Sequence, residues 1–153
     1  MCYVLPLELW HNVGMHLANV QIGEWLGVKA PATDAEILGI VERQLAPAVI
    51  KRLIALGLAR TEVDAIIIPQ RTLQHRRSRR EKLTVEESDR VLRAIRVLAR
   101  AEAVYGSRER ALAWLRRANP RLEGRTPLSL LKTDTGSRMV EELLVEIDEG
   151  MFV

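Results

Sequence analysis

Thr61-Glu-Val-Asp-Ala-Ile-Ile-Ile-Pro-Gln-Arg-Thr-Leu-Gln-His-Arg-Arg77 is the stretch on which the fold turns. Thr61 is a candidate cap for a short helix reaching Ile67. Pro69 breaks that helix, and a second starts close behind it through Arg71, Leu73 and Arg77. Two short helices joined by a turn of about three or four residues form a helix-turn-helix. Leu73 is expected to point inward and pack the second helix on the body. Ile67 and Ile68 stand where many such motifs keep a glycine in or near the turn.

The second helix opens a basic run, with six Lys/Arg and one acid between Gln70 and Lys82. Arginine presents a planar fork that matches phosphate oxygens and the guanine edge, and glutamine matches adenine. In a helix-turn-helix the start of the second helix meets base edges while flanking cations hold phosphates. The pattern therefore assigns reading to Gln70, Arg71 and Gln74, and mainly anchoring to Arg76, Arg77, Arg79 and Arg80, with Thr72 and His75 on the same surface. A solvated charged loop is the competing reading of any arginine run. Here the helix-Pro-helix signal and the scarcity of acids favour DNA.

Upstream, Thr33-Asp-Ala-Glu36 has the capping-box pattern, and Ile37, Ile40 and Val41 form a stripe that predicts a helix to about Leu45. Pro47 suits a first helical position, and Ile50, Leu53 and Ile54 follow at helical spacing before Gly57. In residues 1–30, Trp10, Met15, Leu17, Val20, Trp25 and Leu26 are scattered among Gly14, Gly23 and Gly27, which predicts a loosely attached arm or a short helix. Downstream, Thr84-Val-Glu-Glu87 is a second capping box. It opens a long helix carrying Val91, Leu92, Ile95, Leu98, Ala99, Ala101 and Tyr105, closed by Gly106. Ser107 caps the next helix, with Ala111, Leu112, Leu115 and Ala118 on one face and Asn119-Pro120 as its stop. A last helix is predicted from about Asp134 to Glu149, with Val140, Leu143, Leu144 and Ile147 inward and Gly150 as its stop.

Composition agrees with an all-α chain. Only 4% of residues are aromatic, so Leu, Ile, Val and Ala must fill the core, and no run alternates as a strand would. The single cysteine, Cys2, rules out an internal disulfide framework and a cysteine-based zinc site. His11 and His16 are poorly spaced for a shared metal, and His75 lies in the arginine run, so no metal or cofactor is expected. No nucleophile triad or glycine-rich phosphate loop stands out, and the expectation is a protein that is not an enzyme. No run of about 18 apolar residues and no basic leader occurs, which predicts a cytoplasmic protein without a membrane span. The net charge of +3 hides segregation: residues 51–100 hold 13 Lys/Arg against 6 Asp/Glu, while residues from Glu141 onward hold five acids and no base. Two working surfaces are implied, one basic and one acidic with an apolar tip.

Several motifs together resemble one family. Ile68-Pro-Gln-Arg-Thr-Leu-Gln-His-Arg-Arg77 with Leu83-Thr-Val-Glu-Glu-Ser-Asp-Arg90 is similar to the Xre/MbcA/ParS antitoxins. So are Trp114-Leu-Arg-Arg-Ala-Asn-Pro120, Leu122-Glu-Gly-Arg-Thr-Pro-Leu-Ser-Leu-Leu131 and the ending Val140-Glu-Glu-Leu-Leu-Val-Glu-Ile-Asp-Glu-Gly-Met-Phe-Val153. The resemblance spans roughly residues 34–153 and implies an Xre-like helix-turn-helix domain followed by a small helical toxin-binding domain. It further implies a RES-domain toxin that depletes NAD as partner, a homodimer, and repression of the chain's own operon through operator DNA. The toxin-facing residues implied are Arg138, Glu142, Glu146, Glu149, Gly150, Met151, Phe152 and Val153. The expected division is an unassigned arm over 1–33, a DNA-binding and dimerisation region over 34–105, and a toxin-binding domain over 106–153. The alternative is a stand-alone helix-turn-helix repressor without a toxin.

Overall fold

The computed structural model describes residues 19–31 and 33–150, and among these the regular structure is helical, with no strand. Helix α1 covers residues 19–26. It is followed by α2 (Asp34–Glu42), α3 (Ala48–Ala55), α4 (Arg60–Ile66), α5 (Gln70–Ser78) and the long α6 (Val85–Tyr105). Then come α7 (Arg108–Leu115), a 3-10 turn at Pro120–Leu122, α8 (Pro127–Leu130) and α9 (Asp134–Asp148).

Helix α6 is the mast of the molecule, because its apolar residues recur on more than one face. Val91, Leu92, Ala94, Ile95, Val97, Leu98, Ala99 and Ala101 are all buried, and α2, α7 and α9 pack around them. Full burial of a Leu or Ile side chain contributes about 2 kcal/mol, so this one helix supplies much of the driving force. Its start is fixed by a reciprocal box. Thr84 Oγ1 accepts from the Glu87 amide at 3.1 Å, and Glu87 accepts from the Thr84 amide at 2.8 Å. Gly106 ends it in the left-handed region at φ 73°.

The predicted hydroxyl caps at Thr33, Thr84 and Ser107 each accept from the amide three residues on, and Thr126 does the same at the start of α8. Other boundaries differ from expectation. Helix α2 stops at Glu42 and not near Leu45, because Gln44 turns left-handed (φ 59°) and Leu45 docks on α6. The Leu45 amide donates to Ser88 Oγ at 3.0 Å, and its carbonyl accepts from Leu83 N at 2.9 Å. Thr61 does not cap α4. The cap is Ala59, whose amide donates to Glu62 at 2.7 Å, so the acid does the work expected of the hydroxyl. Helix α7 ends at Leu115, leaving Ala118 exposed, and Asn119 instead caps the 3-10 turn by accepting from Arg121 N at 2.9 Å.

Of the two expectations for the N-terminal region, residues 19–26 show the helix. Trp25 is only 1% exposed. Its indole donates to Glu102 at 3.2 Å and its ring lies 5.1 Å beneath the Arg108 guanidinium. Trp10, Met15 and Leu17 lie outside the described residues.

Candidate functional site

Helices α4 and α5 are joined by Ile67, Ile68 and Pro69, a turn of three residues where three or four were expected. No glycine is needed there, because neither isoleucine has positive φ. Burial holds the turn instead, with Ile67 and Ile68 each 1% exposed. Two polar contacts close it: the Gln70 amide donates to Asp64 at 2.6 Å, and Arg90 of α6 donates to the Ile67 carbonyl at 3.1 Å. Leu73 is buried as predicted and seats α5 on the body.

That seating leaves Gln70, Arg71, Gln74, His75 and Arg77 exposed, with Thr72 half-buried at the edge. The outward residues divide into two banks at helical spacing. Arg71, Thr72, His75 and Ser78 line one open groove together with Gln74. Gln70, Gln74 and Arg77 line a separate cleft on the other side. Gln74 belongs to both and forms the ridge between them.

Arg79 and Arg80 follow the end of α5 and are exposed. Arg80 holds the left-handed position of the helix stop, φ 55°, with its amide donating to Arg77 O and the Glu81 amide to Arg76 O. Arg76 is placed otherwise. Its guanidinium sits 3.3 Å from Glu87 and 3.0 Å from Glu81, and hydrogen bonds to these carboxylates raise its pKa. Because Glu87 is 6% exposed, the pair ties α5 to the start of α6. The anchoring role expected of Arg76 therefore conflicts with its surroundings. The run's one acid is turned toward Arg76 as well. Lys82 donates to the Arg43 carbonyl at 3.0 Å.

The final helix keeps its predicted inward face, with Val140, Leu143 and Leu144 buried and Ile147 half-buried against the core. Arg138, Glu142, Glu146 and Glu149 then fall within about 80° of arc on the outer side. Arg138 pairs with Asp134 one turn earlier, and Glu146 with Arg121 at 2.7 Å, while Glu142 and Glu149 are exposed. Gly150 ends the helix at φ 67°; Met151, Phe152 and Val153 lie outside the described residues.

Sequence reasoning missed Lys51 and Arg60, which line the same cleft as Gln70, Gln74 and Arg77. Lys51 stands beside Arg52 on α3 and Arg60 alone on α4, so no long basic run marks either. It also missed Glu62, which accepts two hydrogen bonds from Arg116 at 2.7 and 2.9 Å while Arg116 reaches the Gly57 carbonyl at 2.8 Å. This clamp joins the first helix of the motif to the end of α7.

Residues 36–96 match the antitoxin Xre-like helix-turn-helix domain, and residues 100–150 match the antitoxin Xre/MbcA/ParS C-terminal toxin-binding domain. An "Antitoxin Xre" of Pseudomonas putida is 35% identical over 148 residues, spanning 97% of this chain and 93% of that one. The chain belongs to the Xre/MbcA/ParS antitoxin family. An "Antitoxin Xre" of Yersinia enterocolitica is 36% identical over 56% of this chain and 58% of its own. A Sphingobium protein named "Prs ADP-ribosylating antitoxin" is 26% identical over 79% of this chain and 83% of its own. The two matched domains meet within α6, so one continuous helix carries both halves of this antitoxin. Among the described residues no helix is long and apolar enough to cross a membrane.

Proposed function

We propose that this antitoxin neutralises a RES-domain toxin that consumes NAD, and represses its own operon as a homodimer with α5 in the major groove of the operator. It would act in the cytoplasm and by binding alone, without catalysis. The observation that carries the DNA half is the outward side of α5. Gln70, Arg71, Gln74, His75 and Arg77 all face solvent there, and α5 itself carries no carboxylate. Such a side suits base edges at its centre and phosphates at its margins. Gln70, Arg71 and Gln74 read, assisted by Thr72 and His75. Arg77, Arg79 and Arg80 anchor. Arg76 positions the reading helix instead of touching DNA.

The toxin half rests on the match to a toxin-binding domain and on the outer stripe of α9. Arg138, Glu142, Glu146 and Glu149 would meet the toxin's surface, with Gly150, Met151, Phe152 and Val153 extending toward its active site. The name of the Sphingobium relative mentions ADP-ribosylation, a reaction whose ADP-ribose comes from NAD. NAD hydrolysis and ADP-ribose transfer share that substrate, so the partner is best described by the cofactor it consumes. On this reading 34–105 binds DNA and dimerises, and 106–153 holds the toxin.

Co-expression with the product of the adjacent gene tests the toxin half, with growth and cellular NAD as readouts. The full chain should restore both, and a chain lacking Gly150–Val153 should fold normally yet restore them poorly. Equal protection by the truncated chain would remove the tail from the interface, and an adjacent gene product that leaves NAD intact would remove the RES assignment. Gel shift on the chain's own promoter and sedimentation of the free protein test repression and dimerisation.

A further inference from the structure

We propose that the cleft between α3, α4 and α5 is a second phosphate site, in which Lys51 and Arg60 hold the DNA backbone beside the reading helix. The proposal rests on the DNA-binding reading and enlarges its footprint beyond the arginine run. The cleft has a volume of about 100 Å³ and brings Lys51 of α3, Arg60 of α4 and Arg77 of α5 to one rim. Their floor is apolar, formed by Ile50, Val63 and Leu73, all buried.

All three cations are exposed. Among the described residues none of the three has an ion pair or a side-chain hydrogen bond. That sets them apart from Arg76, Arg93, Arg108 and Arg116, each of which is paired with a carboxylate. The cleft's only carboxylate, Asp64, already accepts the Gln70 amide at 2.6 Å. Three cations from three helices share the cleft with one carboxylate, so it keeps a positive surplus, and a phosphodiester relieves the remaining repulsion. Gln70 and Gln74 share the cleft, so a phosphate held there would lie next to the residues assigned to base edges. The opposite groove carries Arg71 and His75. A strand of backbone would then be held on each side of α5, which fixes how deeply and in what register the helix enters the groove.

The test uses the full chain carrying Lys51→Gln and Arg60→Gln together, with two duplex probes: the chain's own promoter and a scrambled duplex of equal length. Anisotropy is followed across a salt series. The double variant should bind both duplexes at least about tenfold more weakly, with a salt dependence shallower by about one unit per lost phosphate contact. Its preference for the promoter and its helical content should not change. Lys51→Arg with Arg60→Lys should restore the slope. An unchanged slope in the Gln pair overturns the proposal, and so does a changed preference at full slope, which would mean base contact instead. Arg71→Ala separates the layers: if it alone loses promoter preference while the Gln pair keeps full slope, only the cleft is lost. Absence of binding by the unaltered chain overturns the cleft and the DNA reading together.

Discussion

Two neighbouring arginines on α5 do opposite work, and the difference lies in what each side chain meets. Arg76 neutralises Glu87, a carboxylate that also holds the Thr84 amide at the start of α6. Arg77 faces solvent. Replacing Arg76 with Ala should lower the melting temperature by a few degrees, since a buried carboxylate loses its partner. Arg77→Ala should leave melting unchanged and weaken DNA binding with a shallower salt slope. Equal melting of the two variants would refute the positioning role. Arg80 shows a related conflict, because a side chain at φ 55° is strained by about 1 kcal/mol where glycine would not be. Arg80→Gly should therefore raise stability by up to about 1 kcal/mol while reducing affinity for DNA. Denaturant melts and anisotropy on the same preparation check both signs.

The short helices hold their places through close backbone approaches as well as through apolar stripes. Gly136, in the first turn of α9, lies so near α8 that an added Cβ would stand 2.1 Å from the Leu130 carbonyl oxygen. No side-chain rotation relieves a clash with backbone, so Gly136→Ala must push α8 and α9 apart. The expected loss is about 3 kcal/mol, measured by urea unfolding. Because α9 carries the outer stripe assigned to the toxin, neutralisation should fail in the same variant. A stable, fully protective Gly136→Ala chain would show that α9 can shift without cost.

Across the whole molecule, the Glu62–Arg116 clamp is where the first motif helix meets the toxin-binding half. Hydrogen bonds from Arg116 hold the Glu62 carboxyl below its ordinary value of 4.5, outweighing the burial that pushes it up. A carboxyl with a depressed folded value adds stability above its unfolded value, and that contribution fades as pH falls through the folded one. Glu62→Gln should thus be less stable than the native chain at neutral pH. The gap should narrow as pH drops below 4.5. A pH series of melting temperatures for the two chains gives the answer, and a gap constant with pH would deny the clamp its charge.

Much of this protein was written in local patterns. Hydroxyl caps at Thr33, Thr84 and Ser107, the break at Pro69 and the stripe of α6 act over a few residues, so spacing alone placed most of the longer helices and the helix-turn-helix. The outward side of α5 followed once Leu73 was taken as its anchor. What sequence could not reveal was the partner of each charge. Arg76 and Arg77 are adjacent and chemically identical, and the placement of Glu81 and of Glu87 on another helix separates a positioning residue from a candidate phosphate contact. Lys51 and Arg60 reach one cleft from separate helices, and Arg116 reaches Glu62 across 54 positions of chain. Local hydrogen bonding determined the elements, whereas long-range electrostatics depends on distances that exist only after the helices have packed.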